Sequence, residues 1–218
     1  DTCCIDKTSS AELSEAINSM YKWHQAARRC YVFLFDIAIP ESLPSCKWFT
    51  RGWTLQELVA PMDVAFFDRE WRYLGSRFEL ADDLANITGI PKTVLNRTTP
   101  SFNHSVAQKM SWAAKRVTTR EEDIAYCLFG IFEVNLPFLY GEGAERAFIR
   151  LQEQIMKESN DMTLFAWQSE HSDCFRGILA RSPREFAQAG AVTSILHPSQ
   201  NPEFTVTNKG LRIETSIA

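Results

Sequence analysis

The sequence has no apolar run approaching the roughly 20 residues a membrane-spanning helix needs, so no membrane span is expected from these residues. It has no excess of positive charge either. Its 23 Lys and Arg stand against 27 Asp and Glu, for a formal net charge of −4, and no basic stripe is interleaved with aromatics. Nucleic acid is therefore not an expected partner. The six cysteines, Cys3, Cys4, Cys30, Cys46, Cys127 and Cys174, form no C-x-x-C pair and no Cys/His cluster at metal-ligand spacing. They read as reduced, packed thiols; no metal and no cofactor is implied. Sequons occur at Asn86, Asn96 and Asn103, but no signal peptide precedes them, so a cytoplasmic protein is expected. There is no Walker A motif, no H-E-x-x-H and no G-x-S-x-G, which removes the basis for P-loop nucleotide hydrolysis, zinc proteolysis and serine esterase chemistry.

What is present is an ordinary globular composition. Hydrophobic residues make up 45% and charged residues 23% of 218 positions, enough to bury a core as one domain with an appended part or as two small domains. Ser9 with Glu12 forms a capping box, followed by Leu13, Ala16, Ile17, Met20, Trp23 or His24, and Ala27 at three-to-four spacing, which predicts a helix over 9–27. CYVFLFDIA (30–38) is short, apolar and rich in β-formers, the pattern of a strand buried on both faces of a parallel sheet. A helix over 50–60 stopped by Pro61 and a strand at VAFFD (64–68) come next, so the chain alternates helix and strand as α/β folds do. Residues 69–104 are less regular, with a short helix predicted over 80–90. The second half turns helical. Ser105 with Gln108 caps 106–116, Thr119 with Glu122 caps 120–131, and a helix over 144–158 begins after Gly143. MTLFAW (162–167), GILA (177–180) and the pair FTVT and LRIE around Asn208–Gly210 read as strands.

The chemistry concentrates in WFTRGWTLQELVA (48–60). Helical spacing places Trp53 and Thr54 on the face of Glu57, an indole and a hydroxyl beside a carboxylate. Apolar surroundings raise a carboxyl pKa, and aromatic rings can orient a ligand. Two readings stay open: Glu57 is a reaction centre, or it pairs with Arg51 or another cation and fixes the helix. Arg51 suits a phosphate or carboxylate through its planar fork, with a surface arginine or a Glu57 partner as the plainer account. Trp53 and Trp48 suit ring stacking, or core packing alone. Asp1, Asp6 and Lys7 cluster at an expected strand end, more simply a solvated loop than a site. The GEG at 141–143 reads as a turn and helix start rather than a phosphate cradle, because Glu142 would repel the phosphate. Arg120, Glu121, Glu122 and Asp123 read as a structural helix N-terminus.

Together with DTCCIDK (1–7), MSWAAKR (110–116), TTREEDIAYCLFGIF (118–132) and LYGEGAERAFIRLQEQI (139–155), the 48–60 segment resembles the fungal heterokaryon-incompatibility (HET) domain family, over about residues 1–168. The tail FTVTNKGLRIE (204–214) is similar to the region C-terminal to that domain in many family members. The resemblance implies a Toll/interleukin-1 receptor (TIR)-like, flavodoxin-like parallel sheet with flanking helices, then a helical segment and a short β-rich tail. It divides the chain into a HET portion at 1–104, a helical extension at 105–168 and a truncated tail at 169–218. It also implies an upstream strand and helix before DTCCID, and hence an unfilled slot in the sheet of this chain. The implied role is non-self recognition leading to programmed cell death, through protein partners or self-association. RGWTLQEL is also similar to the helix that carries the catalytic glutamate of NAD-cleaving TIR domains. By that resemblance Glu57 is catalytic, Arg51 and Trp53 bind substrate, and NAD is the substrate of a glycohydrolase. A gene fragment without activity is the remaining alternative.

Overall fold

The computed structural model describes residues 5, 9–38, 40–169, 176–194, 204–207 and 210–213. Helix α1 (Ser10–Ala26) starts where Ser9 Oγ accepts a hydrogen bond from the Glu12 backbone N–H at 3.3 Å, and it buries Ala16, Ile17 and Met20. Strands β1 (Cys30–Phe33) and β2 (Val64–Phe67) pair in parallel, with helix α2 (Thr54–Val59) in the connection between them. Strand β3 (Tyr73–Ser76), within the stretch expected to be irregular, adds to β2 in antiparallel sense with a bulge at Phe66/Phe67. The sheet order is β1-β2-β3, so the sheet is mixed where a parallel one was expected.

The β1 segment is shorter than expected and is not buried on both faces. Val32 and Leu34 are buried, whereas Tyr31 is 63% and Phe35 55% exposed. The period-2 alternation is real but hidden, because the outward positions are also apolar. The outer aromatics pack on one another: Phe33 stacks on Trp71 with ring centroids 4.6 Å apart, and Phe67 contacts Tyr31, Trp71 and Tyr73. Asp68 shapes the turn into β3. Its Oδ1 accepts the backbone N–H groups of Glu70 and Arg72, both at 2.9 Å, and its Oδ2 accepts Arg72 Nε–H at 2.7 Å.

Helices α3 (Ala81–Thr88) and α4 (Lys92–Leu95) come after β3. In α5 (Val106–Ser111) the predicted capping box is complete: Ser105 Oγ accepts from the Gln108 backbone N–H and Gln108 Oε1 from that of Ser105, each at 3.2 Å. The helix expected over 120–131 is only α6 (Asp123–Tyr126), and Thr119 does not cap it. Glu122, the intended capping partner, instead turns its carboxylate to the 141–143 loop, where Oε1 accepts from Gly141 N–H at 2.7 Å and Gly143 N–H at 3.1 Å. The amides of both GEG glycines are thus satisfied by a side chain of the same protein. Helix α7 (Ala144–Glu158) buries Phe148, Leu151 and Ile155 in one apolar cluster shared with β1, β2 and α5.

Two expected strands are not strands. MTLFAW opens with a 3-10 helix at Met162–Phe165, started by Asp161 Oδ1 accepting from Thr163 N–H at 2.9 Å. GILA is held as irregular chain by Gln152 of α7, which exchanges two hydrogen bonds with Ala180 at 2.8 and 3.0 Å. Strands β4 (Phe204–Thr207) and β5 (Gly210–Ile213) pair antiparallel as expected; the turn residues 208–209 lie outside the described residues.

Candidate functional site

A cleft of about 450 Å3 lies between α1, the end of β1, α2 and the segment entering α6. It falls in the range of small-molecule sites. Glu57, Arg51, Trp53 and Thr54 all line it, as does Trp48. The structure therefore brings together the three residues singled out from the sequence, with the indole and hydroxyl on the Glu57 side as helical spacing predicts. Leu13, Ile17 and Met20 of α1 and Phe33 and Phe35 supply an apolar wall.

The start of α2 is held from below by Arg116, which is 3% exposed. Its guanidinium donates from Nη1 to Arg51 O at 2.8 Å and Thr54 Oγ1 at 2.9 Å, and from Nε to Trp112 O at 3.1 Å. Thr54 Oγ1–H in turn lies 2.6 Å from Trp48 O and 2.9 Å from Arg51 O. Gln56, on the opposite side of α2, donates to Cys127 O at 2.7 Å. Gly52 permits this docking: a Cβ there would sit 2.5 Å from Thr118 Cγ2. Buried without a carboxylate in contact among the described residues, the Arg116 guanidinium has its pKa lowered to about 10 by desolvation.

Glu57 makes no ion pair within 4.0 Å among the described residues, so the pairing with Arg51 is not formed. Burial raises its carboxyl above the ordinary range, against opposing pulls from the Trp48 side chain, Arg51 and Arg116. Burial disfavours the thiolate form at the described cysteines. Desolvation pushes Cys46 and Cys127 up to about 12 and Cys30 to about 11. Asp1, Cys3, Cys4, Asp6, Lys7 and Cys174 lie outside the described residues. Among the described residues no group of His, Cys, Asp or Glu is placed to hold a metal ion, and no helix is long and apolar enough to cross a membrane.

The cleft also contains residues that sequence reasoning assigned elsewhere. Asp123 and Arg120, read as a helix N-terminus, and Tyr140, just before GEG, line it as well. Asp123 Oδ2 accepts from Trp53 Nε1–H at 3.1 Å and Oδ1 from Tyr140 O–H at 3.0 Å. The Arg120 guanidinium lies 4.2 Å above the Tyr140 ring centroid. Only the folded chain brings these segments together; no spacing links residue 123 to residue 57.

These features define a mixed α/β protein with a carboxylate-bearing aromatic cleft. Over 169 residues, 72% of this chain, the sequence is 50% identical to the vegetative incompatibility protein HET-E-1 of Podospora anserina, so the chain is similar to a fungal incompatibility protein. The match spans 12% of that protein's length. Residues 146–177, covering most of α7 and the segment after it, match a family described as a domain of unknown function, DUF8212. No solved structure gives a significant match.

Proposed function

We propose that this chain is the HET-domain portion of a fungal heterokaryon-incompatibility protein, a cytoplasmic signalling module of TIR-like type. It acts through protein partners or self-association to trigger programmed cell death when incompatible alleles meet in a fused cell. The observation that carries this reading is the 50% identity to HET-E-1 over 72% of the chain. The test is to place the segment, wild-type or carrying Gly52→Trp to disrupt α2 docking, within the full incompatibility protein and fuse the strain with an incompatible partner. Death of wild-type fusion cells and survival of the variant's, at equal protein levels, is the expected result. Survival with the wild-type segment would refute the reading.

A second reading is favoured by one observation, the meeting of Glu57, Arg51 and Trp53 in a single cleft. In it the protein hydrolyses the nicotinamide–ribose bond of NAD: nicotinamide leaves with the bond's electron pair, and water bonds to the ribose carbon and releases a proton, giving ADP-ribose. Glu57 stabilises the oxocarbenium ion that develops at the sugar, while Trp53 and Arg51 hold the ring and the pyrophosphate. Nicotinamide release lost by orders of magnitude in Glu57→Gln, with folding preserved, is expected. Absence of release from the folded, concentrated parent would leave the signalling module without this chemistry.

A further inference from the structure

One carboxylate joins three parts of the cleft that are distant in sequence. Asp123 reaches back 70 residues to Trp53 and forward 17 residues to Tyr140, and each of its oxygens accepts one of their side-chain protons. Both donors line the cleft, and Tyr140 is backed by the Arg120 guanidinium. An indole and a phenol pinned by their polar atoms present their ring faces and edges in fixed positions, which is how proteins hold flat ligands at low entropic cost. The two arginines of the cleft, Arg51 and Arg120, are both solvent-accessible and stand beside its aromatic and aliphatic walls, with the Glu57 and Asp123 carboxylates also in the lining. That combination matches a ligand with a flat ring and an anionic tail.

The geometry points to Asp123 as a positioning residue that locks Trp53 and Tyr140 as ring-binding walls, with Arg120 and Arg51 facing the phosphates of a nucleoside-diphosphate-type ligand. This rests on the reading of the Glu57 cleft as a ligand site, and it assigns roles to Asp123, Tyr140 and Arg120 that are independent of any bond cleavage. Desolvation raises the Asp123 carboxyl, opposed by the hydrogen bonds from Trp53 and Tyr140, so those two donors also favour its acceptor state.

The experiment is calorimetric titration of the whole chain with ADP-ribose, and with adenosine as the probe lacking phosphates. Saturable ADP-ribose binding is expected, with adenosine at least about tenfold weaker, about 1.4 kcal/mol. Arg120→Gln should shrink that difference. Asp123→Asn and Tyr140→Phe should each weaken ADP-ribose binding about tenfold, and the double variant no further than Asp123→Asn alone, because both remove one linked unit. Tyr140→Phe keeps the ring and its packing, so it reports even if Asp123→Asn unfolds. No saturable ADP-ribose binding at millimolar concentration, or wild-type affinity in Tyr140→Phe and in a folded Asp123→Asn, would overturn the proposal. ADP-ribose binding without nicotinamide release from NAD would support it while refuting the glycohydrolase. Release undiminished in both variants would refute it and leave Glu57's role standing.

Discussion

The close approach of Gly130 to helix α1 offers a sharp test of how the cleft wall is held. A Cβ built on Gly130 would lie 2.0 Å from Tyr21 Cβ and 2.4 Å from Tyr21 Cγ, whereas non-bonded carbons rest at about 3.5–4.0 Å. Rotating the tyrosine gives no relief, since the nearest atom is the Cβ fixed to the α1 backbone. In Gly130→Ala, α1 or the turn around residue 130 must therefore retreat by about 1.5 Å or more. Overpacking typically costs about 1–3 kcal/mol, and a backbone clash belongs at the upper end. At about 2–4 °C per kcal/mol for a chain of this size, the melting temperature should fall by about 6–12 °C. Circular dichroism melts and urea titrations measure the loss. Gly177→Ala is the control, with nothing within 4 Å of its Cβ, and should shift by less than about 2 °C. Combining Gly130→Ala with Tyr21→Ala retains the clash, while combining it with Tyr21→Gly removes it at the cost of about 1 kcal/mol for a helical glycine. Equal melting temperatures for Gly130→Ala and Gly177→Ala would refute the reasoning.

Glu57 has a folded-state carboxyl pKa raised by burial, so its linkage favours folding most strongly below the unfolded-state value and that contribution is lost as pH rises through the folded-state value. Glu57→Gln should accordingly melt at or above wild type at high pH, with the difference shrinking as pH falls from the raised folded-state value down to the ordinary carboxylate value; thermal melts from pH 4 to 8 check this. In the segment after α7, Arg176 and Glu185 pair at 2.6 Å with both side chains 9% exposed, and Glu185 Oε2 also accepts from Arg181 N–H at 2.7 Å. Glu185→Ala leaves a buried cation and should cost about 3–5 kcal/mol, read from urea midpoints.

Much of the framework is legible because it rests on local rules. The Ser105–Gln108 capping box and the apolar face of α7 each need only a few neighbouring residues, and both form as the spacing predicts. The errors share a different cause. CYVF reads as buried on both faces because Tyr31 and Phe33 are apolar, yet their exposure is set by what covers the sheet, which no local pattern records. MTLFAW has the composition of a strand, but Asp161 and Thr163 turn it into a helical start, a competition won by one side-chain hydrogen bond. In the cleft, Arg51, Trp53 and Glu57 are close in sequence and recognisable together. Asp123 and Tyr140 join them only through long-range packing, and their own surroundings in sequence favour a structural interpretation.

The carboxylate of Glu122 in the 141–143 loop gives that loop a particular status. Two of its amides are arranged as an anion receptor would arrange them, but the anion is tethered to the same chain. A free anion must compete with a ligand whose effective local concentration is set by a short covalent path rather than by the cell. The loop therefore behaves as a binding site delivered with its occupant in place, and it spends that binding free energy on joining α6 to α7.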